Sequence, residues 1–125
     1  MYTIAVARDF ITRHYLIGGD WGHENNEHAH HYRIEVQIEG IQLDQHGYLV
    51  DIVDIEGRLE ALVTRYRDSL LNDLPQFEGL NPSIEHFARI LSEEFLYGME
   101  TQRLSAVTIK LWENEIAWAS FRQEY

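Results

Sequence analysis

From Tyr32 to Gly40 the sequence alternates strictly. Tyr32, Ile34, Val36 and Ile38 fall on one side, and Arg33, Glu35, Gln37 and Glu39 on the other. A period of two marks a strand with one buried face, and a slip of one residue would turn every apolar side chain to water. The chain must therefore build a sheet here and cover one face of it. The residues just ahead of this strand include His28, His30 and His31. Extended backward, the same period puts His28 and His30 on one face, able to aim their imidazoles at a single point, while His31 faces the other way. Imidazole suits zinc, and a catalytic zinc typically takes three protein ligands and keeps one position open. A neighbouring strand should supply the third ligand, and His14 is the candidate. The competing reading is a histidine-rich loop that meets metal only adventitiously.

The remaining segments supply the cover. Tyr2, Ile4 and Val6, followed by Phe10 and Ile11, suit a strand running to about Leu16, with a bend or bulge near Arg8 and Asp9. Gly18, Gly19, Asp20 and Gly22 make a loop between this strand and the next, so the two should pair as a long antiparallel hairpin. Leu43 to Gly47 reads as a turn. Ile52, Ile55, Leu59, Leu62, Val63, Tyr66 and Leu70 follow helical spacing, weakened at Gly57 by up to about 1 kcal/mol. Asn72 to Leu80 is a loop. Asn81 then reads as an N-cap with Pro82 at the first helical position, opening a helix to about Tyr97 that Gly98 ends. Leu104 to Trp112 and Ile116 to Phe121 form a second hairpin around Glu113, Asn114 and Glu115. The order β-β-α-α-β-β predicts an α+β fold, an antiparallel sheet with a helix pair on one face, in a single domain over residues 1–125. Such a sheet leaves two edges open, and extension between subunits would close them.

Charge and composition remove whole classes of function. The 21 acidic residues against 10 basic ones give a formal charge of -11, with Lys110 the only lysine, so no basic stripe exists for nucleic acid. Without cysteine there is neither a disulfide nor a thiolate ligand or nucleophile. No segment approaches the ~20 apolar residues of a membrane span, and the N-terminus lacks a signal pattern. The expectation is a soluble, cytoplasmic protein.

Several short motifs, in chain order, resemble the 6-pyruvoyl-tetrahydropterin synthase and 6-carboxy-tetrahydropterin synthase family. His14 in ITRHYL is similar to the family's lone histidine after strand one, and His28, Ala29, His30, His31 and Tyr32 resemble its His-Gly-His-x-Tyr signature. Gly47 and Asp51 look like its Gly-x-x-x-Asp. Leu71, Asn72 and Asp73 look like its Leu-Asn-Asp loop, and Asn81, Pro82, Ser83 and Glu85 like its Asn-Pro-Thr-x-Glu. Trp112 and Glu113 resemble its C-terminal Trp-Glu. The resemblance covers nearly the whole chain and implies the tunnelling fold, with subunits joined into trimers by sheet extension, two trimers stacked, and each active site between subunits. It implies zinc held by the three histidines and a pterin substrate, usually 7,8-dihydroneopterin triphosphate. It also implies that Glu113 anchors the pterin. A carboxylate suits that role, because it accepts two parallel hydrogen bonds from the 2-amino group and ring N–H.

The chain departs from the family pattern at the proton-transfer residues. The catalytic cysteine lies four positions before the signature, where this chain has Glu24, and the Asp-His pair ahead of the Leu-Asn loop is matched by Arg67 and Asp68. Some family members use a glutamate near this loop, which makes Glu24 the candidate base and Glu27 the reserve. His31 is expected to be structural or interfacial. His23, His46 and His86 are expected to be surface residues, and Trp112 and Trp118 core or interface aromatics. Three functions follow as alternatives. They are a zinc-dependent pterin lyase, a zinc and pterin binder that has lost turnover, and a zinc-water hydrolase of a different substrate in which Glu24 activates the water. Local cations near the site are few, chiefly Arg13, Arg33, Arg67 and Lys110, which weighs against a triphosphate.

Overall fold

A computed structural model of the chain describes residues 1–125. Strands β1 (Tyr2–His14) and β2 (His28–Gly40) are followed by helices α1 (Ile52–Tyr66) and α2 (Ile84–Leu96), then by strands β3 (Ala106–Trp112) and β4 (Trp118–Glu124). The strands form one antiparallel sheet in the order β1-β2-β3-β4. Both helices pack on the same face of it. The β2 side chains predicted to point inward are fully covered, with Tyr32, Ile34, Val36 and Ile38 at 0% exposure. They meet Ile55, Leu59, Leu62, Val63 and Tyr66 of α1, and Phe87, Ala88, Ile90, Leu91 and Phe95 of α2, in one continuous core. Each large apolar side chain so buried contributes roughly 1.5–3 kcal/mol, and this burial is what fixes the β2 register.

β1 differs from the expectation in two ways. It runs unbroken against β2 from Tyr2↔Gly40 to His14↔His28, with no bulge at Arg8 and Asp9. Arg8 occupies an inward position without breaking the pattern. Its guanidinium reaches out at the edge of the core to Glu56 and Glu60 of α1, at 3.8 and 3.4 Å, so only its aliphatic stem lies over the sheet. The edge of β1 is also not wholly open. After α1 stops at Tyr66, a turn earlier than expected, Asp68 takes a left-handed φ of 61° and turns the chain back alongside β1. The Asp68 N–H donates to the Ile11 carbonyl and the Arg13 N–H to the Ser69 carbonyl, each at 2.8 Å, and Leu70 bridges Arg13 in parallel. The far end of the strand is therefore covered by the chain's own residues.

The second helix starts later than expected. Ser83, not Asn81, is its N-cap, accepting from the His86 N–H at 3.2 Å, and Pro82 precedes the cap. The Asn72 to Leu80 loop contains two single 3-10 turns, Leu71–Asp73 and Pro75–Phe77, that bury Leu71 and Phe77. The second hairpin is displaced from 104–112 and 116–121 to Ala106–Trp112 and Trp118–Glu124. Asn114 sets that shift, because its side chain accepts from the Ile116 and Ala117 N–H groups at 2.9 Å and draws both into the turn.

Candidate functional site

The β1–β2 register places His14 directly across from His28, with His30 two residues further along the same face of β2. One ring nitrogen from each of His14, His28 and His30 lies within 4.8 Å of the others. His14 is only 5% exposed, and His28 and His30 are half-buried. Two of the rings are held by partners. The His28 Nδ1 stands 2.8 Å from the Asn26 carbonyl, which can only accept, so this nitrogen carries the proton and Nε2 keeps its lone pair. The His14 Nδ1 meets the Tyr32 hydroxyl at 2.9 Å in the core. Such outer contacts fix ring orientation and tautomer in metal sites.

The third ring shows that these residues fit an ion. The His30 Nε2 is buried and makes no hydrogen bond, and its nearest charged group is a Glu113 oxygen at 3.9 Å. A buried polar atom without a partner costs about 1–3 kcal/mol, and a cation among three imidazoles would satisfy it. The electrostatics agree. Burial, followed by the charges of His28 and His30, takes the His14 imidazole from 6.5 down to about 4. Burial also lowers His30, against an opposing pull from Glu113 and, more weakly, Glu24. Both rings are thus neutral donors at pH 7, the state a metal requires.

The segment after His14 is held by three asparagines, among them Asn81, which was expected to cap the second helix. Asn72 accepts from the Tyr15 N–H and donates to the Tyr15 carbonyl, both at 2.9 Å. Asn81 accepts from the Ile17 N–H at 2.8 Å. Asn25 donates to the Leu16 and Gly19 carbonyls and accepts from the Trp21 N–H. The Leu16 N–H donates to the Glu24 carbonyl at 2.9 Å, which ties the 3-10 turn Gly22–Asn25 to this strap. Glu24 sits exposed on that turn, near enough to His30 for its charge to act there. Glu27 is committed elsewhere, bonded to Arg13 at 2.9 Å. His86, expected at the surface, is half-buried with its Nδ1 2.8 Å from the Asn81 carbonyl. Paired amides flanking a glycine-rich loop are the signal that would have pointed to this strap, since Asn side chains mimic backbone.

Beside the histidines opens a cleft of about 690 Å³ lined by Asp9, His30, His31, Arg33, Trp112 and Glu113, with Asn114 and Glu115 at its lip. His31 faces away from the three clustered histidines as expected, 3.7 Å from Asp9. Trp112 and Trp118 are not core residues. They pair across β3 and β4 on the face away from the helices, with the Lys110 ammonium 4.7 and 4.1 Å from their ring centres. The ammonium over both rings forms a cation–π contact that holds the indole pair on this polar face.

The sequence matches the family described as 6-pyruvoyl tetrahydropterin synthase over residues 3–124. The chain belongs to this family. Among solved structures, the Caenorhabditis elegans 6-pyruvoyl tetrahydropterin synthase superposes with a TM-score of 0.84 at 20% identity, over 98% of this chain and 96% of that one. The Plasmodium vivax 6-pyruvoyl tetrahydropterin synthase gives 0.79 at 10% identity, with both chains covered completely. A P. vivax 6-pyruvoyltetrahydropterin synthase described as a catalytic-residue mutant, with glutamate replaced by alanine, gives 0.76 at 13% identity over 99% and 98% of the two chains. A search of curated protein sequences finds no match. At these identities the likeness is one of fold, and the fold is the tunnelling fold.

Within the 6-pyruvoyl tetrahydropterin synthase family pattern, the motif residues of this chain fall into two groups. His14, His28, His30 and Glu113 gather at one end of the sheet. Asp51 instead caps α1, accepting from the Val53 N–H at 3.0 Å, and Asn72 and Asn81 hold the strap. Arg67 and Asp68, which stand where the family has its Asp-His pair, lie along the β1 edge. Arg67 bonds Glu60 at 3.4 Å, and the Asp68 carbonyl accepts from Arg13 at 3.3 Å.

Proposed function

We propose that this chain, as a single domain spanning residues 1–125, is a zinc-dependent carbon–oxygen lyase acting on 7,8-dihydroneopterin triphosphate or a related pterin. The observation that carries the reading is the convergence of three imidazoles, with the unpartnered His30 Nε2 beside a cleft that contains Glu113. His14, His28 and His30 would hold the metal, which when bound supplies Lewis-acid polarisation of a substrate hydroxyl.

The remaining chemistry belongs to the chain's own carboxylates. Glu113, exposed enough to swing from His30 into the cleft, accepts the paired N–H donors of the pterin and orients the ring. Glu24 takes the proton from the side chain of the substrate. The strap of asparagines holds the turn that presents it, and the commitment of Glu27 to Arg13 leaves Glu24 as the free carboxylate of this loop. A catalytic glutamate is named in a P. vivax relative, which supports a carboxylate in this role. The assembly is a trimer or a dimer of trimers in the cytoplasm, built by adding strands to the sheet edges. No helix is long and apolar enough to cross a membrane.

Metal analysis of untagged protein tests the centre, with about one zinc expected per chain and loss of it in His28→Ala and His30→Ala. Full zinc in both variants would end the reading. Incubation of the zinc-loaded protein with 7,8-dihydroneopterin and its triphosphate then separates lyase from binder. Product that disappears in Glu24→Gln, with zinc retained, supports catalysis, and saturable binding without product supports the binder.

A further inference from the structure

We infer that the cleft selects a pterin whose side chain carries no phosphate, so that 7,8-dihydroneopterin itself, and not its triphosphate, is the ligand. The inference rests on the pterin reading above and narrows it. Its basis is where the ten cations of the chain are held.

A triphosphate brings about four negative charges at pH 7 and needs several cations free to face it. The cleft lining holds three carboxylates, Asp9, Glu113 and Glu115, and a single permanent cation, Arg33. Arg33 already forms an ion pair with Asp9 at 3.7 Å, and His31 stands 3.7 Å from the same carboxylate. At the neighbouring loop Arg13 is bonded to Glu27 at 2.9 Å, with Glu24 also nearby in sequence.

Residues lent by another copy do not change this, because a second copy carries only the same ten cations. Arg8, Arg65, Arg67, Arg89 and Arg122 each pair with a glutamate. Arg58 donates to the Phe95 and Tyr97 carbonyls, and Arg103 to the Gln42 carbonyl. Lys110 stands over two indoles. Exposed ion pairs are weak individually, so any one arginine could turn to a phosphate. Each that did so would leave an unpaired carboxylate beside the incoming charge, in a chain whose net charge is already -11. The uncharged polyol tail of dihydroneopterin meets no such repulsion, and the cleft of about 690 Å³ has room for the bicyclic ring and that tail.

The test is fluorescence titration of the zinc-loaded, full-length protein with 7,8-dihydroneopterin and with its triphosphate, at low and at physiological salt. Dihydroneopterin should bind at least ~10-fold more tightly at low salt, and the triphosphate should not gain affinity as salt is lowered, because no free cation cluster engages it. Asp9→Asn, which releases Arg33 and removes one carboxylate from the rim, should strengthen triphosphate binding several-fold relative to dihydroneopterin. Equal or tighter triphosphate binding that weakens steeply with salt would overturn the inference while leaving the pterin reading intact. Absence of binding by both compounds would overturn the inference and the pterin reading together.

Discussion

Metal-free protein should lose stability steeply as the solution is acidified through the range in which His14 is neutral only because it is buried. The folded chain binds a proton on this ring near pH 4, against 6.5 for the free group. Between those values the unfolded state holds more protons than the folded one, so stability falls as pH falls, by about 1.4 kcal/mol per unit for one group. Above 6.5 the contribution is fully present, and below about 4 both states are protonated and the slope vanishes. Across the interval the loss comes to about 3 kcal/mol, large beside the roughly 5–15 kcal/mol of a typical domain. The conversion is justified because the ring is only 5% exposed. Urea unfolding followed by tryptophan fluorescence, with chelator present, measures it across this range in wild type and in His14→Gln. Glutamine stays neutral, and subtracting the variant removes the carboxylates that titrate in the same window. Wild type should lose about 3 kcal/mol more than the variant between pH 7 and pH 4. A difference below about 1 kcal/mol would refute the reasoning, because the β1–β2 pairing would then not be desolvating the ring. Saturating zinc should shift the wild-type loss to lower pH, since the ion binds only neutral imidazole.

Tyr32→Phe removes the hydroxyl from the His14 Nδ1 and leaves that nitrogen buried without a partner. It should cost about 1–3 kcal/mol in denaturant unfolding and weaken zinc binding ~10–100-fold in competition with a chelator. Phe87→Ala empties the centre of an aromatic cluster with Phe10, Tyr32, Tyr66 and Phe77, and should lower stability by roughly 3–5 kcal/mol. Asn72→Ala deletes both hydrogen bonds to Tyr15 and should destabilise by about 2 kcal/mol. Hydrogen exchange should then rise in the Tyr15–Asn25 strap while the zinc content stays at the wild-type level.

Sheet, helices and histidine pair were legible in the sequence where a single periodicity met a single environment. β2 is the best case from Tyr32 to Ile38, where each inward residue is buried under the helices and each outward one is not, so alternation was a full description of its surroundings. The element order and the shared face of His28 and His30 follow from the same rule. Errors came where a local rule met a distant partner. Arg8 read as a break in β1 until α1 supplied Glu56 and Glu60. Asn81 read as a helix cap until Ile17 claimed its side chain. Of the core-or-interface expectation for Trp112 and Trp118, the core half fails, because both lie on the face away from the helices with Lys110 over their rings, a contact without a local sequence signal.

The sequence by itself determined the strand period, the amphipathic helices, the acidic balance and the imidazole donors, because each is a property of neighbours along the chain. Tertiary structure alone decided that His14 stands across from His28, that Tyr32 and Asn26 orient two of the rings, and that His30 is left with an unanswered nitrogen. It also decided which arginine each carboxylate holds. Those outcomes depend on the registry between strands and on loops closing over residues up to 64 positions apart, as from Ile17 to Asn81. A one-residue slip in that registry would leave every local pattern intact while carrying the β2 imidazoles to the opposite face.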